Sequence, residues 1–373
     1  MLIGVSGSQT FRRTSPMFTI EMLPADYGDC LWIEYGTHKA PKRILIDCGT
    51  IKTFKLLKQR LLKIHEKQRR FELLIITHID NDHIDAAVKL LNATSLSVQF
   101  NEIWFNGHHH LFRPDVLGAL QAAFVEALIL KLTIPWNKSF GGKSVVVPDS
   151  GPDPQVKLPG GMQLTLLSPG WPELSKLRPV WEKELSKKGL KPGDHQAALK
   201  KLAGDKKYAD LLGATGPNIS QLAAAEFKED TSPANGSSVA VLAEFEGKRC
   251  LFAGDAFPGV LAANIRRYLK DSPLLYLDAF KVSHHGSKHN TNQELLKLLR
   301  CQNYLISTSG KQFGHPDPET IARIITHAGK GPHIYFNYAT PQNSIWNDPR
   351  LMKRHDYKDF FPLKGSLGQA LGI

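Results

Sequence analysis

Long apolar runs are missing from this 373-residue chain; no stretch reaches the roughly 18 residues that a membrane span requires. The opening MLIGVSGSQTFRRTSP interrupts its short apolar start with polar residues and Arg12-Arg13, so a secretory leader is not expected. Cysteine is scarce. Cys30, Cys48, Cys250 and Cys301 lie in or beside strand-like apolar segments and form no CxxC pair, which excludes a disulfide framework and predicts buried free thiols in the cytoplasm. No internal repeat of fixed short period is present, so a repeat architecture is not expected. Acidic residues are outnumbered, 35 against 47 Lys and Arg, and the resulting net charge of +12 creates a field that attracts polyanions such as nucleic acid.

What is present is ample apolar material. Hydrophobic residues make up 42% of the chain, enough for one large core or two ordinary ones. Residues 1–16 read as an extension, because Met17 opens the first clean strand pattern and residues 17–373 carry the folded domain. Strand-like runs follow in CLWIEYG, RILIDCGT and ELLIITH, with the basic segment FKLLKQRLLKIHEKQRR reading as a helix between the last two. SVQFNEIWFNG adds a strand, and Pro114 opens an amphipathic helix in RPDVLGALQAAFVEALILKL. From about 136 to 233 the pattern loosens into FGGKSVVVP, GGMQLTLLSPG and a lysine-rich helical part, which together read as an insertion. Strands return in SSVAVLAEFEGKRCLFAGDA, where Glu246-Gly247 turns between two alternating segments. Helix and strand then alternate through GVLAANIRRYLK, LDAFKVSHHGS, NQELLKLL, NYLISTSG and PETIARIITHAG to HIYFNYAT, read as the last strand.

One stretch organises the chain. LLIITHIDNDHIDAAVKLL crowds His78, Asp80, Asp82 and His83 directly behind the apolar run Leu73 to Ile76. A buried strand that stops at Thr77 delivers the next residues as a rigid loop at a sheet edge. Alternation lets His78 and Asp80 face one way, while Asp82 and His83 approach from the turn into the following helix. Four such donors suit two metal ions a few ångströms apart. Imidazole favours transition metals, and the two carboxylates shift the preference from zinc toward manganese. Downstream, Asp255 in LFAGDA and His285 in KVSHHGS each end a strand, where a carboxylate bridges two ions and an imidazole completes the set.

Taken in order, YGDCLWIEYG, ILIDCG, THIDNDHID, NGSSVAVLAEFEGKRCLFAGDA, FKVSHHGSKHN and GHP (Gly314 to Pro316) resemble the metallo-β-lactamase superfamily, and within it the hydrolase domain of ComEC competence proteins and their free-standing soluble relatives. The resemblance runs from Met17 to Gly107 and from Asn235 to about Ala328, leaving the insertion uncovered. It implies an α+β fold, a four-layer αββα sandwich with a dinuclear site where the sheet edges meet. It also implies two divalent ions, Zn2+ or Mn2+, one held by His78, Asp80 and the bridging Asp255, the other by Asp82, His83, Asp255 and His285. His284 is the second choice for the last imidazole, since the H-x-S setting of related nucleases matches His285-Gly286-Ser287. Asp47 in LIDCG would orient a ligand from beneath. The chain departs from the superfamily at Asn235, which stands near the usual place of a further histidine. Asn is a weak neutral ligand, so the first ion would bind loosely and load with substrate. His110, with its neighbours His108 and His109 in FNGHHHL, is the alternative donor.

Two divalent ions lower the pKa of a shared water and polarise phosphodiester oxygens, which makes Asp82 a catalytic residue as well as a ligand. The proton for the leaving oxygen is expected from His315 or His284. Lys281 and Lys288 as point charges, and Ser287 through its hydroxyl, are expected to hold a phosphate oxygen. Fold alone does not select the substrate, since the superfamily also holds thioester, lactam and lactone hydrolases. Asp at position 80, the resemblance to a DNA-degrading domain and the basic balance favour a phosphodiester. In the insertion, Lys176, Arg178, Lys183, Lys187, Lys188, Lys191, Lys200, Lys201, Lys206 and Lys207 offer a path for a nucleic-acid backbone, with Trp171 and Trp181 placed to stack bases. A solvated helical face and core tryptophans are the plainer readings. The expectation is a cytoplasmic metal-dependent nuclease that prefers DNA to RNA. Its alternatives are a phosphodiesterase for small or cyclic nucleotides, and a regulated subunit idle without a protein partner. The resemblance bears on the last, because free-standing relatives accompany bacterial antiviral defence components.

Overall fold

The computed structural model describes residues 15–111, 120–187 and 218–373. Arg12-Arg13, Pro114 and the lysines from Lys188 to Lys207 lie outside the described residues. The N-terminal part supplies strands β1 (Pro16–Met22), β2 (Leu31–Thr37), β3 (Ala40–Ile46), β4 (Arg70–Phe71), β5 (Leu73–Ile75), β6 (Gln99–Phe100) and β7 (Ile103–Trp104). Later residues supply β8 (Gln155–Lys157), β9 (Gln163–Ser168), β10 (Ala240–Phe245), β11 (Lys248–Phe252), β12 (Leu275–Lys281), β13 (Leu299–Ile306), β14 (His333–Phe336), β15 (Lys358–Phe360) and β16 (Gln369–Gly372). The longer helices are α1 (Phe54–Leu62), α2 (Asn81–Asn92), α3 (Leu120–Lys131), α4 (Trp171–Lys187), α5 (Pro258–Leu269), α6 (Gln293–Leu298), α7 (Pro318–His327) and α8 (Pro349–His355).

Among the described residues two large sheets form, a six-stranded one in the order β16-β1-β2-β3-β5-β7 and an eight-stranded one in the order β15-β14-β13-β12-β11-β10-β9-β8, beside a two-stranded pair of β4 and β6. Side-chain alternation shows how they stack. Ile20, Ile33, Ile44 and Ile75 of the first sheet share one core with Leu164, Val241, Phe252 and Leu305 of the second. The opposite face of the first sheet, through Trp32, Leu45 and Leu74, packs on Leu57, Ile84, Leu91 and Phe124 of its helices. The opposite face of the second, through Leu242, Leu251, Phe280 and Tyr304, packs on Leu261, Ile265, Leu295 and Ile321. The architecture is the expected four-layer αββα sandwich.

This explains the unbroken apolar run before the metal-ligand motif. Leu73 and Ile75 point into the layer between the sheets, Leu74 and Ile76 into the helix layer, so a strand buried on both faces has no polar position to offer. Each such burial is worth roughly 1.5–3 kcal/mol, which anchors the loop that follows.

Three expectations need correction. The span from 136 to 233 is not all insertion: β8 and β9 lie within it, and β9 pairs antiparallel with β10 inside the second sheet. HIYFNYAT is not the last strand. β15 pairs in parallel with β14, and β16 crosses back to close the first sheet against β1. Finally, SVQFNEIWFNG is two short strands in different sheets, because Asn101 and Glu102 separate β6, which pairs with β4, from β7, which pairs with β5. No helix among the described residues is long and apolar enough to cross a membrane.

Candidate metal centre

The parallel pairs β3 with β5 and β11 with β12 send their C-terminal ends toward one edge of each sheet. Asp47 follows β3, residues 77–83 follow β5, Asp255 follows β11, and His284 and His285 follow β12. α2 starts at Asn81 with Asp80 in the capping position, yet the Asp80 carboxylate makes no capping bond and stays free for other work. Three of these residues hold left-handed backbone, Asp47 at φ 57°, His284 at φ 47° and His285 at φ 55°. Each costs on the order of 1–3 kcal/mol and persists because neighbours impose it. The His284 amide is fixed on the Gly254 carbonyl at 3.0 Å, and the Ser287 amide closes the turn on the His284 carbonyl at 2.8 Å. Two adjacent imidazoles thereby turn toward Asp255.

Donor atoms converge in two groups around Asp255 Oδ2. On one side, His285 Nε2 lies 3.2 Å from His83 Nε2 and 3.3 Å from Asp82 Oδ2, with Asp255 Oδ2 3.5 Å from His83 and 3.8 Å from His285. On the other, Asp255 Oδ2 lies 3.8 Å from His78 Nε2 and 3.6 Å from His284 Nε2, and Asp80 Oδ2 lies 3.7 Å from His78 Nε2. The triads His78, His83, Asp255 and Asp82, His83, His285 each bring their donor atoms within 4.8 Å of one another.

The outer ring nitrogens are already committed. His83 Nδ1 donates to Asp47 Oδ2 at 2.7 Å, His285 Nδ1 to the Ser307 carbonyl at 3.0 Å, and His284 Nδ1 to Asn290 Oδ1 at 2.8 Å. Asp47 also accepts from the Thr77 amide and hydroxyl, at 2.8 and 2.7 Å, so the Thr77 hydroxyl is left to accept from His78 Nδ1 at 3.0 Å. With Nδ1 occupied in this way, each ring turns Nε2 toward the cluster, the nitrogen that would meet a cation. His78 Nε2 and Asp255 Oδ1 are buried and lack hydrogen-bond partners. Orphaned buried acceptors that converge at this spacing fit divalent cations, and the mixed imidazole and carboxylate set suits zinc, manganese or iron.

Electrostatics agree with a site built for positive charge. Burial opposes a charged His83, yet Asp255, Asp47 and Asp82 outweigh it and raise its pKa well above the imidazole range. His285 likewise rises to about 9, burial being overcome by Asp255 and Asp29. Burial would raise Asp255, but His83, His284 and His285 hold it well below the carboxylate range.

The structure brings His78, Asp80, Asp82, His83, Asp255, His284 and His285 together, with Asp47 beneath His83. Other expected site residues sit differently. Asn235 donates its amide nitrogen to Asp230 Oδ2 at 2.7 Å, while its buried Oδ1, the atom that would meet a cation, has no hydrogen-bond partner; His284 stands beside Asp255 on the His78 side. His110 packs against Trp136 away from the cluster, with burial lowering its pKa to about 3. Lys281 is not placed to hold a phosphate. Its ammonium is fully buried, 2.6 Å from Asp29 Oδ2, because β12 carries it inward beneath His285. Ser287 is buried and its hydroxyl accepts from the His289 amide at 3.2 Å, while Lys288 pairs with Glu319 at 3.1 Å. His315 flanks the site, its ring 5.4 Å from that of His284. Burial outweighs Asp317 and lowers its pKa, so at neutral pH this ring accepts a proton more readily than it donates one.

Sequence reasoning missed Asp29, Asp230 and Asn290. Asp29 sits in the quoted YGDC motif, which was a signal without a role; in the fold its Oδ1 lies 3.4 Å from His285 Nδ1. Asn290 closes the FKVSHHGSKHN motif, again a signal without a role, and Asp230 comes from a loop with no pattern of its own; together they brace His284.

The layers and the donor cluster form the four-layer αββα arrangement with a candidate site at the sheet edges. A family model for the metallo-beta-lactamase superfamily matches residues 24–112, the segment that carries Asp29, Asp47 and the whole His78 to His83 motif. The match is confined to that segment. No curated protein matches the sequence significantly. Similar solved structures include a protein from Parabacteroides distasonis ATCC 8503 provisionally described as a metal-dependent hydrolase, at 11% identity and TM-score 0.36, with 94% of each chain covered. The metallo-beta-lactamase fold protein YhfI from Bacillus subtilis aligns at 10% identity and TM-score 0.37, over 96% of this chain and 99% of its own. CmlA, a diiron beta-hydroxylase from Streptomyces venezuelae, aligns at 10% identity and TM-score 0.39 over 96% of this chain, which spans 54% of CmlA.

Proposed function

We propose that this protein is a two-metal phosphodiesterase acting on nucleic acid, with DNA as the first substrate class. The observation that carries this reading is the pair of donor groups sharing Asp255 Oδ2, each with its own aspartate, Asp80 on one side and Asp82 on the other. Adjacent divalent ions, when bound, acidify water and neutralise charge that develops on a phosphoryl group in an in-line displacement. His78, Asp80, Asp255 and His284 would hold one ion, and Asp82, His83, Asp255 and His285 the other. The chain's own residues then orient those ligands. Asp47 holds the His83 ring, Asn290 and Asp230 hold His284, and Ser307 with the buried Asp29–Lys281 pair holds His285. Asp80, with its side chain 43% exposed, opens the cluster to solvent on the side from which substrate enters. His315 stands nearby as a neutral imidazole able to take a proton from an attacking water. The charge of +12 supports a polyanionic substrate.

The test is cleavage in manganese of end-labelled single-stranded DNA beside closed circular plasmid, with Asp82→Ala as control. Cutting that vanishes in Asp82→Ala is the expected outcome. Hydrolysis of a small nucleotide phosphodiester with neither DNA cut would replace nucleic acid by small substrates, and silence toward every phosphodiester would overturn the reading.

A further inference from the structure

Phe313 stands out among the described residues because a large aromatic ring, 58% exposed, projects beside a polar metal centre. It is part of a row. The ring of Tyr27 meets it at 5.7 Å and 88°, the ring of His315 lies 6.0 Å away at 32°, and His315 in turn is 5.4 Å from His284. His284 brings the row to the donor cluster, its Nε2 3.6 Å from Asp255 Oδ2. The loop beneath Phe313 is held in place: the Ser309 amide donates to the Asp26 carbonyl at 2.7 Å, and the Gly314 amide to the Gly310 carbonyl at 3.0 Å. An exposed ring on a fixed loop is an unused contact surface.

A cavity of about 390 Å3 adjoins this row, lined by Asp26, Lys52, Ser309, Lys311, Tyr338 and Gln342 among others. Asp26 directly precedes Tyr27, and Lys311 lies two residues before Phe313, so the cavity wall runs directly into the segments that carry the aromatic row. Lys52 is 58% exposed and pairs with Asp26 only at 3.5 Å, an exposed contact that a phosphate displaces at little cost. Gln342 Oε1 is a buried acceptor in the wall without a partner, suited to a hydroxyl or amino donor.

We propose that Phe313, with Tyr27 and His315, forms a stacking platform for an unpaired nucleobase next to the scissile phosphodiester, and that the Lys52 and Lys311 cavity takes a neighbouring phosphate of the same single strand. The proposal rests on the phosphodiesterase reading and narrows it to single-stranded nucleic acid. Every base offers a π face, so such a platform is tolerant of sequence but requires that the base be unpaired. A duplex, whose bases are stacked inside, cannot use it.

Fluorescence anisotropy tests this with a short labelled single-stranded DNA, the same strand carrying abasic residues, and the matching duplex, in calcium so that binding is read separately from cutting. The wild-type protein is expected to bind the normal strand about tenfold or more tighter than the abasic strand or the duplex. Phe313→Ala, an exposed substitution, is expected to erase that preference, and Phe313→Tyr to keep it. Lys52→Ala and Lys311→Ala are expected to weaken normal and abasic strands alike and to reduce the salt dependence by about one phosphate contact each. Equal affinity of the wild type for normal and abasic strands, binding of neither, or an unchanged preference in Phe313→Ala overturns the platform. Cutting in manganese without base preference overturns the platform alone; base-dependent binding with no phosphodiester cut overturns the catalytic reading and leaves the platform standing.

Discussion

His83 carries the closest network in the cluster, and Asp47 is the residue that orients it through a 2.7 Å bond to Nδ1. Asp47→Asn retains a carbonyl for the Thr77 amide but withdraws the charge behind the ring. Metal affinity is expected to fall about 10- to 100-fold, read by titration with zinc or manganese, while the far-UV spectrum stays as it was. Lys281 makes the opposite case. As a phosphate holder its loss would raise KM and spare stability; as the buried partner of Asp29, Lys281→Ala should cost about 3–5 kcal/mol in urea unfolding by leaving the carboxylate charge uncompensated. The double variant Lys281→Met with Asp29→Asn should recover most of that loss. That His78, Asp80, Asp82, His83, Asp255 and His285 converge was legible, because residue type and position at strand ends limit where they can meet. Lys281 was misread because a lysine near a motif looks the same in sequence whether its side chain points out or in. His284 was ambiguous for the same reason: adjacent residues on an extended chain point apart, and only the left-handed turn at both histidines brings the two rings to Asp255.

The elements that position the donors are packed without slack. A methyl group added at Gly28 would lie 1.8 Å from the Asp82 carbonyl oxygen, so the loop after β1 and the first turn of α2 touch backbone to backbone. Gly28→Ala is expected to push that turn outward, lowering stability by about 1–3 kcal/mol and metal stoichiometry with it, measured by urea unfolding and by metal content after reconstitution. α3 hides a titrating group far from the donor set. Burial pushes the Glu126 carboxyl up to about 7 from its ordinary 4.5, against the pull of the His108 amide. The folded chain thus keeps a proton that the unfolded chain releases, and stability falls as pH rises from about 4.5 to about 7, then levels off. Glu126→Gln removes this proton linkage, so its gain in thermal midpoint over the wild type should be larger at about pH 8 than at about pH 5. A gain independent of pH would assign the effect to packing instead. Strands β10 to β14 and the helices between them were readable because their apolar periodicity is local; the place of β9 in the sheet was not, since its partner β10 lies more than seventy residues away in the chain, and β8 enters the sheet only through β9.

At the scale of the molecule, the six- and eight-stranded sheets of the described residues press their inner faces together, and the loops with the candidate metal ligands emerge at their edges. Closure of the first sheet by β16 ties the far C-terminal end to β1, with Ile373 donating to the Phe18 carbonyl at 2.8 Å. Removing residues 369–373 should therefore expose the β1 edge and lower the thermal midpoint while leaving metal stoichiometry intact, a combination that separates support of the sheet from support of the site. The sequence by itself determined the sandwich, the helix and strand alternation and the principal donors, because apolar periodicity and the chemistry of His and Asp are local properties of the chain. Tertiary structure alone decided that both adjacent histidines face Asp255, that Asn235 donates to Asp230, that Lys281 is buried against Asp29, and that Phe313 stands in line with the site. Those outcomes depend on how segments distant in the chain meet, and no short-range pattern encodes the meeting.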